Sequence, residues 1–185
     1  MNLLTDSPSD FIEVGRAKIK IKTDFALWVK FVIAVGNQDN GTIINVLSDV
    51  FEEIPKYTDP KMLIPAINDW LWQGRDESGG EAGGQNTTSK QSFDFEADGN
   101  VLYCELWEHF PHLMERGISF PEGVELIKIL ISDETTVIHH RAFARCGDFS
   151  KMSKDMRTYW QKERAKYAIR AKQEDIDAVF SGAFM

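Results

Sequence analysis

The sequence predicts a mainly α fold: a compact helical domain with a small N-terminal β-hairpin and a long flexible loop at about 74–91. Three observations carry this. Apolar residues recur at three- and four-residue spacing along much of the chain, the period of a half-buried helix. One early stretch, "FIEVGRAKIKIK", alternates instead, which is the period of a strand. Between Gly74 and Gln91, "GRDESGGEAGGQNTTSKQ" holds no Val, Ile, Leu, Phe, Tyr or Trp, so it has nothing large to bury. The expected organisation is a single domain over 1–172, followed by a frayed tail at 173–185.

In chain order, the hairpin occupies about 11–22, with Ile19 and Ile21 set against Lys18, Lys20 and Lys22 and Gly15 between the two runs. Asp24 then stands as N-cap to "FALWVKFVIAV", where Phe25, Trp28, Val29 and Val32 keep helical spacing up to Gly36. After the turn "NQDNGT", Thr42 is the expected cap of a second helix with Ile43, Val46, Leu47, Val50, Phe51 and Ile54 in one stripe. Asp59-Pro60 opens a third, because proline in the first turn gives up no hydrogen bond, and Pro65 lies about one turn further in. Beyond the loop, "DGNVLYCELWEHF" places Leu102, Leu106 and Phe110 beside Tyr103 and Trp107 on adjoining helical rows. Pro111 ends that helix. Ser119 is a cap for "FPEGVELIKILI", and "TTVIHHRAFARCG" and the basic helix 153–172 complete the series.

The glycine-rich loop is a connector. A phosphate-binding loop needs Lys and then Ser or Thr after its last glycine, whereas Gly84 is followed by Gln85 and Asn86. A second motif, "DFEADGNVLYCE" over 94–105, has oxygen-bearing Asp94, Glu96 and Asp98, then Gly99 and Glu105, at the spacing of a calcium loop. No entering helix precedes it, and the simpler reading makes Asp98 the cap of the helix that follows. His109 and His112 have a spacing found at zinc sites, but Pro111 interrupts the helix between them. No nucleophile motif surrounds any serine or either cysteine, so the expectation is a binding protein without enzyme activity, metal or other cofactor.

Composition narrows the class further. An apolar fraction of 43%, with twelve Phe and five Trp, is enough for a packed core in a chain of 185 residues. Two cysteines make no disulfide framework, and the polar start "MNLLTDSPSD" reads as no signal peptide, so a cytoplasmic protein is expected. The net charge of −8 is uneven: Lys151 to Lys172 holds eight basic and two acidic residues, a local +6 that leaves −14 elsewhere. Within that segment Tyr159, Trp160 and Tyr167 interleave with Arg157, Arg164 and Lys166, a mixture suited to an acidic protein partner or to single-stranded nucleic acid. Nucleic acid is the weaker option beside so acidic a remainder. Arg157 and Arg164 are expected on the solvated side of this helix.

Four blocks in order, "NLLTDSPSDFIEV", "IKTDFALWVKF", "SFDFEADGNVLY" and "RCGDFSKMSKDMRTYWQKERAKYAI", resemble the gene-product-fifteen family of tailed bacteriophages. The matches fall on Asp24, Phe25, Trp28 and Phe31, on Asp94, Phe95, Asp98 and Tyr103, and on Arg145, Asp148, Lys151, Tyr159, Lys166 and Tyr167. The likeness runs to about Ile169, and the final sixteen residues have no counterpart in it. It implies a tail assembly chaperone-like role in the bacterial host cytoplasm, in which the protein binds the phage tape measure protein and keeps it soluble. The alternative is a phage accessory protein binding calcium through 94–105 or nucleic acid through 153–172.

Overall fold

A hairpin and eight helices make up the structure, a computed structural model that describes residues 9–51, 60–72 and 92–169. Of those residues 69% are helical and two short strands form the one sheet, so the chain is mainly α with an N-terminal hairpin. The connector expected at about 74–91 and the tail at 173–185 lie outside the described residues. The described residues fall into two compact units, one drawn from 9–72 and 116–125, the other from 92–115 and 126–169.

The first unit begins with β1 (Phe11–Val14) and β2 (Ala17–Lys20), antiparallel and in a register that sets Ile12 opposite Ile19. Gly15 turns the chain at φ +61°, a conformation that a side chain strains. Ile12, Ile19 and Ile21 are buried while the lysines point out, as the alternation requires. Ile21 then pairs with Phe51, and the Lys22 amide donates to the Val50 carbonyl at 2.8 Å, which fastens the hairpin to the end of α2 (Asn40–Val50).

Asp24 caps α1 (Phe25–Gly36) by accepting from the Leu27 amide at 3.0 Å. Trp28, Phe31, Ala34 and Val35 form its buried row, and it packs against α2 through Ile43, Val46, Leu47 and Val50. The cap of α2 is Asp39 and not Thr42. Asp39 accepts from both the amide and the hydroxyl of Thr42, so the threonine sits in the first turn. The same helix stops at Val50, because Phe51 becomes extended to pair with Ile21; Ile54 lies outside the described residues.

In α3 (Pro60–Trp72), Pro65 is accommodated inside the helix, and Leu63, Ile67, Trp70 and Leu71 face inward. Trp70 stacks at 4.7 Å on Trp28, and each indole N–H finds a main-chain acceptor, Ser9 for Trp70 and Lys22 for Trp28. The unit is closed by residues 118–120, which pair with 23–25: the Phe25 amide donates to Ile118 and the Phe120 amide to Thr23. Here begins α6 (Phe120–Ser132), under a capping box in which Glu122 accepts from the Ser119 amide and hydroxyl while its own amide turns to the Ser119 oxygen. Gly123 is needed at this point, since a Cβ there would lie 2.3 Å from the Phe25 ring.

The second unit is built on α4 (Phe95–His109), α5 (Pro111–Arg116), the rest of α6, α7 (Val137–Cys146) and α8 (Lys154–Lys166). Pro111 separates α4 from α5, as the sequence requires. Thr136 caps α7 and donates its hydroxyl back to the Leu130 carbonyl at 2.6 Å. Beyond α7, Trp160 of α8 packs on Phe143 and Phe149 with ring centroids 4.8 and 5.8 Å away. Among the described residues, no helix is long and apolar enough to cross a membrane.

Candidate partner-binding site

The polar centre of the second unit is a clasp between α4 and α7. Asp98 and Glu105 are two helical turns apart on one face of α4, and both carboxylates are buried. Asp98 accepts from Arg145 Nη1 at 2.6 Å and Nη2 at 2.9 Å, and from Arg141 Nη1 at 2.8 Å. Arg145 is itself buried and also donates to the carbonyls of Ser92 and Tyr167. Glu105 accepts from the amides of Val137 and Ile138, the first turn of α7, where the helix dipole favours a negative group. Burial pushes the Asp98 carboxyl up, but the hydrogen bonds from Arg145 and Arg141 prevail and hold it below the usual range.

This arrangement corrects the expectation for 94–105. The cap of α4 is Asp94, which accepts from the amides of Glu96 and Ala97; Asp98 sits inside the helix, four residues later. Nor do the acidic groups converge as calcium ligands. Residues from Phe95 onward are helical, Asp98 is bound to two arginines and Glu105 to the start of α7. His109 and His112 also go separate ways, His109 against Phe110 and His112 toward Glu115.

The six candidate residues Arg157, Tyr159, Trp160, Arg164, Lys166 and Tyr167 fall on α8 and its C-cap, but the helix is shorter than expected. It spans Lys154–Lys166, not 153–172, with 170–172 outside the described residues. Tyr167 is the C-cap of the helix, and its carbonyl accepts from Arg145 Nε at 2.7 Å. Trp160 and Tyr167 turn inward, packing on His140 at 4.8 and 6.0 Å, and Arg141 lies over the Tyr167 ring. Tyr159 remains 46% exposed. Lys166 is 3.7 Å from Glu163, whose carboxyl is held below its usual range first by the hydrogen bond to His140 and further by Lys166.

Arg164 is not on the solvated side. It donates through Nε to the Ala144 carbonyl and through Nη2 to that of Gly147, and its guanidinium lies 4.2 Å over the Phe149 ring. Arg157 is exposed, yet it too is tied down, donating to the carbonyls of Ser150 and Met152. Between α8 and the segment from the end of α7 to Ser150 the two arginines line an open cavity of about 370 Å³, together with Gln161, Asp148, Phe149 and Cys146. α8 has no fully buried residue among its thirteen.

Sequence reasoning overlooked a second exposed aromatic feature. Tyr103 is 61% exposed and stacks edge-on with Trp107 one turn later, on the helical row next to that of the buried Leu102 and Leu106. Their four-residue spacing was the available signal. Comparison with protein-family models, with curated proteins and with solved structures gave no match.

Proposed function

We propose that this protein is a tail assembly chaperone-like binding protein: in the bacterial host cytoplasm it holds a phage tape measure protein soluble until tail tube subunits replace it. It acts by binding and carries out no reaction. The observation that carries the proposal is the order of the four sequence blocks, taken with where their residues lie. Most of them hold the fold. Asp24 and Asp94 cap helices, Trp28 and Phe31 are core, and Asp98, Arg145 and Tyr167 form one hydrogen-bonded chain. Tyr103, Lys151, Tyr159 and Lys166 are exposed, and two of these positions are aromatic. A tape measure chain is long and rich in helices whose apolar stripes need cover before assembly, and an exposed aromatic on a basic helix suits such a task.

Co-expression with the tape measure protein of its own phage is the test. The expected result is a larger soluble fraction of that chain and its recovery bound to this protein. If the tape measure chain stays insoluble while the protein binds single-stranded DNA tightly at physiological salt, the chaperone role is rejected in favour of nucleic-acid binding through α8.

A further inference from the structure

The cavity between α8 and the segment from the end of α7 to Ser150 carries two guanidinium groups seven residues apart, Arg157 and Arg164, with Gln161 on the same helical face. Both are held in place before any ligand arrives. Arg157 is fixed through Nη2 by the carbonyls of Ser150 and Met152, and Arg164 through Nε and Nη2 by Ala144 and Gly147. Stacking on Phe149 sets the plane of the second guanidinium. Each retains Nη1 for another acceptor, and among the described residues neither belongs to an ion pair. The acid in the lining, Asp148, accepts from the amide and hydroxyl of Ser150, both at 2.9 Å.

We propose that this pocket is a carboxylate-binding site which seats one Asp or Glu side chain of the protein partner between Arg157 and Arg164. The inference rests on the partner-binding function proposed above and specifies its chemistry. Two fixed cations and one fixed anion give the lining a single net positive charge, which a monoanionic carboxylate neutralises; a phosphate dianion would bring excess negative charge beside Asp148. Guanidinium N–H groups match the carboxylate oxygens in geometry, and their charge strengthens each hydrogen bond. The surrounding segment, Lys151 to Lys172 with its +6 balance, attracts an acidic partner toward the pocket.

The test is a titration of the isotope-labelled full-length protein with N-acetylglutamate amide, followed by backbone and arginine side-chain resonances. Saturable shifts are expected at Arg157, Gln161, Arg164 and Phe149, with none from the uncharged N-acetylglutamine amide and weaker binding of inorganic phosphate. Gln161→Glu, at an exposed position, supplies the pocket with its own carboxylate and should weaken the titration about tenfold, as should Arg157→Gln, which removes one charge-assisted hydrogen bond. No saturable shift, an equal response to the uncharged probe, tighter binding of phosphate, or an unchanged titration in Gln161→Glu would each overturn the proposal. The chaperone role is judged separately. Failure of co-purification with the titration intact rejects the role and leaves the carboxylate site, whereas the reverse result rejects the site alone.

Discussion

Replacing Asp98 by alanine should be among the most damaging single substitutions in the chain. The carboxylate is 0% exposed and accepts four hydrogen bonds, three from Arg141 and Arg145 and one from the Asp94 amide at 3.0 Å. Its loss leaves the buried Arg145 guanidinium without its counter-charge, and breaking a buried pair from one side costs about 3–5 kcal/mol. The nearby cap substitution Asp94→Ala removes a carboxylate from an exposed helix end and should cost only about 1 kcal/mol. In urea melts followed by far-UV circular dichroism, a loss of about 4 kcal/mol lowers the midpoint by about 2 M at a slope of about 2 kcal/mol per molar. A double-mutant cycle isolates the cause. In an Arg145→Met background Asp98→Ala should cost at least about 1.5 kcal/mol less than in the wild type, because the charge it would orphan is gone. If Asp98→Ala costs no more than Asp94→Ala, or the cycle shows no coupling, the buried charge pair does not hold α4 to α7.

Two further outcomes follow from the geometry. Gly123→Ala should destabilise the protein by about 1–3 kcal/mol in the same melts, since the new methyl would meet the Phe25 ring at 2.3 Å; Phe25→Leu in that background should recover part of the loss. Because the Asp98 carboxyl lies below its ordinary value of 3.8 in the folded chain, its contribution is complete above about pH 4 and is lost as the pH falls through the folded value. Midpoints measured from pH 6 down to pH 2 should therefore fall below about pH 4, with a shallower fall in Asp98→Asn.

Much of the first unit was legible because its signals are local. Asp24 stands directly before an apolar run, and the Ile and Lys alternation in 18–22 fixes which face of β2 is buried. Thr42 has the local pattern of a cap, but Asp39, three residues earlier, competes for the same role with a stronger acceptor. Asp94 and Asp98 posed a similar choice. Both are carboxylates at a helix start, and what separates them is a pair of arginines more than forty residues away, which no local pattern contains. The aromatic and basic content of α8 was readable, but not that Arg164 turns back onto the carbonyls of Ala144 and Gly147. A helical wheel places a residue on a face; whether a loop folds up to meet it is decided by tertiary structure.

The two units are interleaved along the chain, and this bears on how the protein is made and how it can be divided. Residues 116–125 complete the first unit, yet they follow α4 of the second. During synthesis the contact of Trp72 with Phe120, and the pairing of 23–25 with 118–120, must wait until all of α4 has left the ribosome. At an elongation rate of about 5–20 residues per second, the separation of forty-eight residues from Trp72 to Phe120 keeps the apolar face of α3 without this partner for about 2–10 s. The clasp likewise joins Asp98 to an arginine that emerges only after 116–125 have passed. No single cut therefore separates the units into two expressible halves. A fragment ending before Arg116 lacks the strand-like closure of the first unit, and one beginning after Glu125 lacks α4 of the second.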